Sequence, residues 1–238
     1  MRLYKIKALI KLGVEDLSKN MSVFIYVLFP LFFAFLYGNL DTPEEVGMEA
    51  LYSICVLMNL AMVPVALMGT VIAEEKEKNT LRTLMLNDVK AAEVLLAKAL
   101  MCVAFVVIDN ILMYFILGLS NKNFLAYQAI GFAVGLAVIL FGAFIGLFAK
   151  NQMSAGLLSM PFMVILMAPM FVNIMGNDIA KKIAEFLPTD AMMTMFMGIA
   201  ANKITMDTIG KPIFVIVGWF VVSIGLFMLT FRKVGMDN

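Results

Sequence analysis

The chain has 238 residues, of which 63% are hydrophobic and only 15% charged, with 22 Met and 20 Phe. A soluble domain of this length could not bury so much apolar side chain, so its solvent is largely lipid, and a net charge of +1 gives a nucleic-acid partner no electrostatic support. Histidine is absent, which excludes Ser-His-Asp triads, His-ligated metals and HExxH proteases together.

Residues 1–20 come first. Leu3, Ile6, Ile10, Val14 and Leu17 recur at spacings of three and four, with Lys5, Lys7 and Lys11 elsewhere on the turn. That pattern predicts an amphipathic helix lying in the membrane interface. No small-x-small cleavage site follows the basic lead, so the first apolar run is expected to stay as an anchor. Six runs reach the roughly 20 residues that a helix needs to cross the hydrocarbon. They are Met21–Leu40, Leu51–Ala73, Val94–Leu119, Phe124–Phe148, Ser154–Ile174 and Pro212–Phe231. Cys55 and Cys102 sit inside such runs and read as small buried hydrophobes.

Between the second and third runs lies "EEKEKNTLRTLMLNDVKAAEVLLAKAL", rich in charges of both signs. A solvated loop is the plain reading. Three features favour an ordered element instead. Alternating signs in "EEKEK" suit pairing. Leu81, Leu84 and Met85 fall at helical spacing after Thr80, a candidate N-cap. A new helix then starts after Asn87 or Asp88 and runs straight into the third span.

Inside the third span, "VVIDNILMY" carries Asp109 and Asn110. An intramembrane carboxylate is costly and points to function. Otherwise it lies near the outer headgroups, snorkels outward or pairs with a polar neighbour. Gly131, Gly135, Gly142 and Gly146 form two GxxxG pairs in the fourth span, suited to close helix contact within the subunit or at a dimer seam. Pro161 and Pro169 are expected to kink or loosen the fifth span. The methionines around Met163 and Met167 fill a core or adapt to an apolar cargo, and Asn59 and Asn173 are candidate polar contacts in a path.

Lys and Arg set the orientation. One side holds Arg2, Lys5, Lys7, Lys11, Lys19, Lys76, Lys78, Arg82, Lys90, Lys98, Lys150, Arg232 and Lys233. The other holds Lys122, Lys181, Lys182, Lys203 and Lys211, with four acids and no base in "DTPEEVGME". Both termini and the 74–93 segment are therefore expected on the cytoplasmic side. No GxxxxGK[ST] occurs, so this chain does not cradle nucleotide phosphates in a P-loop.

The stretch "EEKEKNTLRTLMLNDVKAAEVLLAKAL" resembles the first cytoplasmic loop of ATP-binding-cassette exporter permeases of the type-2 class. The matching residues are Glu75, Lys76, Glu77, Thr80 and Leu81, then Leu95, Leu96, Lys98 and Ala99. Asn79 stands where that family usually has Gly, and Asn87-Asp88 where it has Ser-Pro. "EFLPTDAMMTMF" resembles the family's Leu-Pro-Thr segment.

The resemblance implies an all-α membrane protein forming one permease domain over 1–238. Six transmembrane helices would follow an interfacial elbow helix (1–20). A cytoplasmic coupling helix would lie in 74–93, with short re-entrant extracellular helices in 176–211. It also implies a cytosolic ATPase subunit that binds ATP and Mg, and a second permease, identical or paralogous. The expected location is a bacterial plasma membrane. Glu75, Lys76 and Glu77 would hold neighbouring cytoplasmic segments. Leu81, Arg82, Leu84 and Met85 would touch the ATPase, tilting spans two and three. Spans one and five would form the dimer seam, and spans two and five the pathway. Export of amphipathic peptides, drugs or similar hydrophobic compounds is the leading expectation. An ion channel centred on Asp109 and a non-transporting immunity or scaffold protein are the alternatives.

Overall fold

The computed structural model of the chain describes residues 3–40, 47–78, 91–119, 123–175 and 178–234. Regular structure among them is helical, as lipid requires: only a helix satisfies each backbone N–H and C=O within one segment. In order these are α1 (Leu3–Lys19), α2 (Met21–Asn39), α3 (Met48–Met62), α4 (Met68–Glu77), α5 (Ala91–Ile116), α6 (Phe124–Phe148), α7 (Gln152–Met175), α8 (Asp178–Ala184), α9 (Pro188–Ala200) and α10 (Lys211–Val234). Single π-turns at Val63–Leu67 and Met206–Gly210 join α3 to α4 and lead into α10.

Five helical stretches are long and apolar enough to cross a membrane: Met48–Glu77, Glu93–Ile116, Phe124–Phe148, Gln152–Val172 and Met206–Thr230. They match the expected second to sixth spans. The expected first span is helical as α2, but its apolar helix, Val23–Asn39, falls in a shorter class. The count among the described residues is therefore five rather than six.

The second span is the centre of the bundle. Its most apolar window is 94% buried, against 17% for α10. α10 leaves Phe214, Val217, Val221, Val222 and Leu229 exposed, as suits a helix bathed in lipid. At 30 residues the second span is about 45 Å long, beyond a hydrocarbon core of about 30 Å. The surplus carries its charged end out of the hydrocarbon.

Pro64 explains the π-turn within this span. It brings no N–H to the ladder, so the hydrogen bonding slips by one residue. Thr70 Oγ1 donates to Ala66 O (2.8 Å) and Leu67 O (3.0 Å), stitching the loosened turn. α6 packs directly on it. A Cβ at Gly142 would stand 1.9 Å from Pro64 O, and one at Gly146 2.6 Å from Gly69 O. Gly131 and Gly135 likewise face Asn110 and Val106 of α5. The GxxxG pairs thus serve packing within the subunit.

α1 differs in register from its expected face. Leu9, Gly13 and Leu17 are buried, whereas Val14 is exposed. Periodicity missed Gly13, whose lack of a side chain lets α1 approach α5: a Cβ there would lie 2.9 Å from Met101 Sδ.

Within 176–211, α9 spends its apolar residues on the bundle. Phe196 stacks on Tyr52 at 5.6 Å and meets Tyr127 at 4.8 Å, and Met192 is fully buried. Thr189 Oγ1 donates to Leu166 O of α7 at 2.7 Å, one turn before Pro169.

Candidate functional site

The charged end of α4 gathers four helices. Glu74 to Glu77 complete the helix, and Glu75, Lys76 and Glu77 face different neighbours because one turn takes 3.6 residues. Glu75 meets Lys98 of α5 at 2.7 Å, with side chains only 12% and 7% exposed. This near-buried pair ties α4 to the start of the third span. Taking either partner away leaves a charge with little water.

Lys76 turns to α6. Its Nζ donates to Leu147 O (2.6 Å) and Ala149 O (2.8 Å), carbonyls at the C-terminus where the helix has no N–H of its own to offer. A cation there also meets the negative end of the helix dipole. Glu77 turns to the next helix: its Oε2 accepts from the Gln152 N–H at 2.9 Å, at the first residue of α7. The charges thus complement both helix ends of a tight turn. Asn151 and Ser154 finish that turn locally, Ser154 N–H donating to Asn151 Oδ1 at 2.8 Å and Asn151 N–H to Ser154 Oγ at 3.0 Å.

Glu74 pairs with Lys78 at 2.5 Å, one turn apart. Accepting that hydrogen bond, the Glu74 carboxylate holds the Lys78 ammonium above the ordinary lysine value. A cavity of about 40 Å³ lies beside the pair, lined by Gly13, Asp16 and Leu17 of α1, Val71, Glu74, Glu75 and Lys78 of the second span, and Lys98 of α5. α1 therefore joins the same cluster.

Of the expected coupling residues, Glu75, Lys76 and Glu77 come together here. Asn79, Thr80, Leu81, Arg82, Leu84 and Met85 lie outside the described residues. Sequence reading missed Lys98 as the partner of Glu75. The available signal was a lone cation within the apolar start of the third span.

Deeper in the bundle, a second polar cluster joins α3, α5 and α6. Asn59 Nδ2 donates to Asn110 Oδ1 (2.9 Å) and Val106 O (3.2 Å). Tyr52 OH donates to Asn110 O at 3.3 Å and accepts from Gln128 Nε2 at 3.1 Å. Asn59 is fully buried between helices, and Asp109 and Asn110 are each 1% exposed. Asp109 thus faces the bundle and does not snorkel outward. Met163 and Met167 are half-buried against the core; the Asn173 side chain lies outside those described. Cys55 and Cys102 are free and buried.

Comparison with known proteins adds one match. Residues 42–229 fit the protein-family model described as "ABC-2 family transporter protein". No curated protein and no solved structure matches the chain.

Proposed function

The chain belongs to the ABC-2 transporter family as a multi-pass membrane permease, and from that premise we propose that it is the membrane subunit of an ATP-driven exporter. It moves amphipathic peptides, drugs or similar hydrophobic compounds out of the cell by alternating access. ATP and Mg are bound by a separate cytosolic ATPase. α2 serves as a sixth span, α8 and α9 dip into the membrane from outside, and both termini face the cytoplasm of a bacterial cell. Two permeases assemble, through α2 and α7.

The observation that carries this reading is the clamp at the end of α4. Lys76 and Glu77 hold the α6–α7 turn while Glu75 holds Lys98 of α5. Segment 79–90 continues from the clamp and supplies the ATPase contact through Leu81, Arg82, Leu84 and Met85. A push there is passed to the second span and, through Lys76 and Glu77, to the fourth and fifth spans. Such rocking of one packed unit against another alternately exposes a midplane path. The half-buried methionines of α7, Met163 and Met167, suit a varied apolar cargo.

The test is affinity purification of the tagged chain in mild detergent, with partners identified by mass spectrometry. A variant carrying Glu75→Ala, Glu77→Ala and Leu84→Ala is run beside it. Recovery of a P-loop ATPase with the native chain, weakened in the variant, is the expected result. A folded native chain that retains no nucleotide-binding subunit removes the motor and with it the exporter reading.

A further inference from the structure

We propose that Asp109 is a proton-binding site, its carboxyl carried as the neutral acid inside the closed bundle. The inference stands apart from the exporter reading and rests on three observations. First, Asp109 is 1% exposed, and its Oδ2 has no hydrogen-bond partner among the described residues. An ionised carboxylate without water or a partner is among the costliest groups to bury.

Second, among the described residues no cation is placed to neutralise it. The elements packed on α5 are α1, α2, α3, the Val63–Leu67 turn, α4 and α6. α2, the Val63–Leu67 turn and α6 carry no Asp, Glu, Lys or Arg; their titratable groups are Tyr26, Tyr37 and Tyr127. α3 brings Glu49, Tyr52 and Cys55, none of them cationic. α4 and α1 bring charges of both signs, but they meet α5 at its start: α4 through Glu75 on Lys98, α1 through Gly13 beside Lys98 and Met101. Lys98 itself is about 16 Å along the helix from Asp109, at 1.5 Å per residue, and is engaged by Glu75. On α5 the other titratable groups are Glu93, Cys102 and Tyr114.

Third, the neighbouring polar cluster turns its donors on its own acceptors, and among the described residues none of these hydrogen bonds reaches Asp109. Asn59 gives its amide protons to Val106 O and Asn110 Oδ1, Tyr52 its hydroxyl proton to Asn110 O, and Gln128 an amide proton to Tyr52. Asn59 Oδ1 and Gln128 Oε1 are left buried without a partner among the described residues. Near these unsatisfied oxygens a carboxylate could only accept, whereas a carboxylic acid can donate an O–H. The proton is held while the helices stay closed round Asp109, and parting them to water releases it.

The test is infrared spectroscopy of the full chain in lipid bilayers at neutral pH. The native chain shows a protonated-carboxyl C=O band that Asp109→Asn lacks, the loss amounting to one carboxyl. Because the neutral amide replaces a neutral acid, the variant is expected to fold. Carbon-13 labelling of aspartate in the native chain moves the same band, which identifies it as an aspartate's, and the comparison with Asp109→Asn assigns it to Asp109. Identical spectra for the native chain and Asp109→Asn, or a native chain with no aspartate-dependent band in that region, would overturn the assignment.

Discussion

Replacing Gly142 by Ala adds a single methyl group, and the structure gives it nowhere to go. The new Cβ would stand 1.9 Å from Pro64 O, about 1.5 Å short of ordinary contact at 3.4 Å, and 3.0 Å from both Pro64 C and Val65 O. The obstructing atoms are backbone in the most buried part of the molecule, so no flexible side chain can swing aside. Overpacking of this kind costs about 1–3 kcal/mol, and the severity of the overlap puts Gly142→Ala at the top of that range. Greater helix propensity returns at most about 1 kcal/mol. Gly218→Ala is the matched control, because nothing lies within 4 Å of its Cβ and only the propensity gain remains. The assay is the melting temperature of each purified variant in one detergent. On the soluble-protein scale of about 2–4 °C per kcal/mol, Gly142→Ala should lose several degrees and Gly218→Ala should lose none. Equal melting temperatures for the two variants would refute the close approach of α6 to the Val63–Leu67 turn.

Other perturbations test separate parts of the structure. Glu75→Ala and Lys98→Met should each lower stability by about 3–5 kcal/mol, and the double substitution by less than their sum, measured as a thermal-stability cycle. Tyr52→Phe removes the donor to Asn110 O and the acceptor of Gln128 Nε2, so a loss of about 1–3 kcal/mol is expected from the same measurement. Asp190 is pushed above the ordinary carboxylate value, first by burial and then by Glu185. Its ionised form is therefore the strained one in the folded chain. Asp190→Asn should raise the melting temperature at neutral pH, and the gain should vanish as pH falls below the ordinary aspartate value. A gain independent of pH would contradict that cause.

Much of the architecture is legible in the sequence because spans need about 20 apolar residues whatever packs around them. Five of the six expected runs return as long apolar helices, and within "EEKEK" one pair, Glu74 with Lys78, forms as its alternation suggests. Direction is harder to read. A largely apolar helix such as α5 has no polar face to say which side turns inward, so the burial of Asp109 and its separation from the cations among the described residues emerge only from the packing. The same limit applies to α1, where Gly13 rather than the branched residues marks the contact. The partners of Lys76 and Glu77 are backbone atoms at helix ends. Such atoms have no residue signature, so only the fold identifies Leu147, Ala149 and Gln152 as their targets.

The central claim is that Lys76 and Glu77 bind the α6–α7 turn to the charged end of α4. Hydrogen–deuterium exchange of the chain in lipid, with and without the substitutions Lys76→Met and Glu77→Ala, tests it most directly. Charge-assisted hydrogen bonds contribute about 1.5–3 kcal/mol, and each ~1.4 kcal/mol of lost protection speeds exchange about tenfold. Peptides covering 147–155 should exchange at least tenfold faster in the variant, while those covering 128–140 and 213–225 stay unchanged. Unaltered exchange at 147–155 would contradict the clamp.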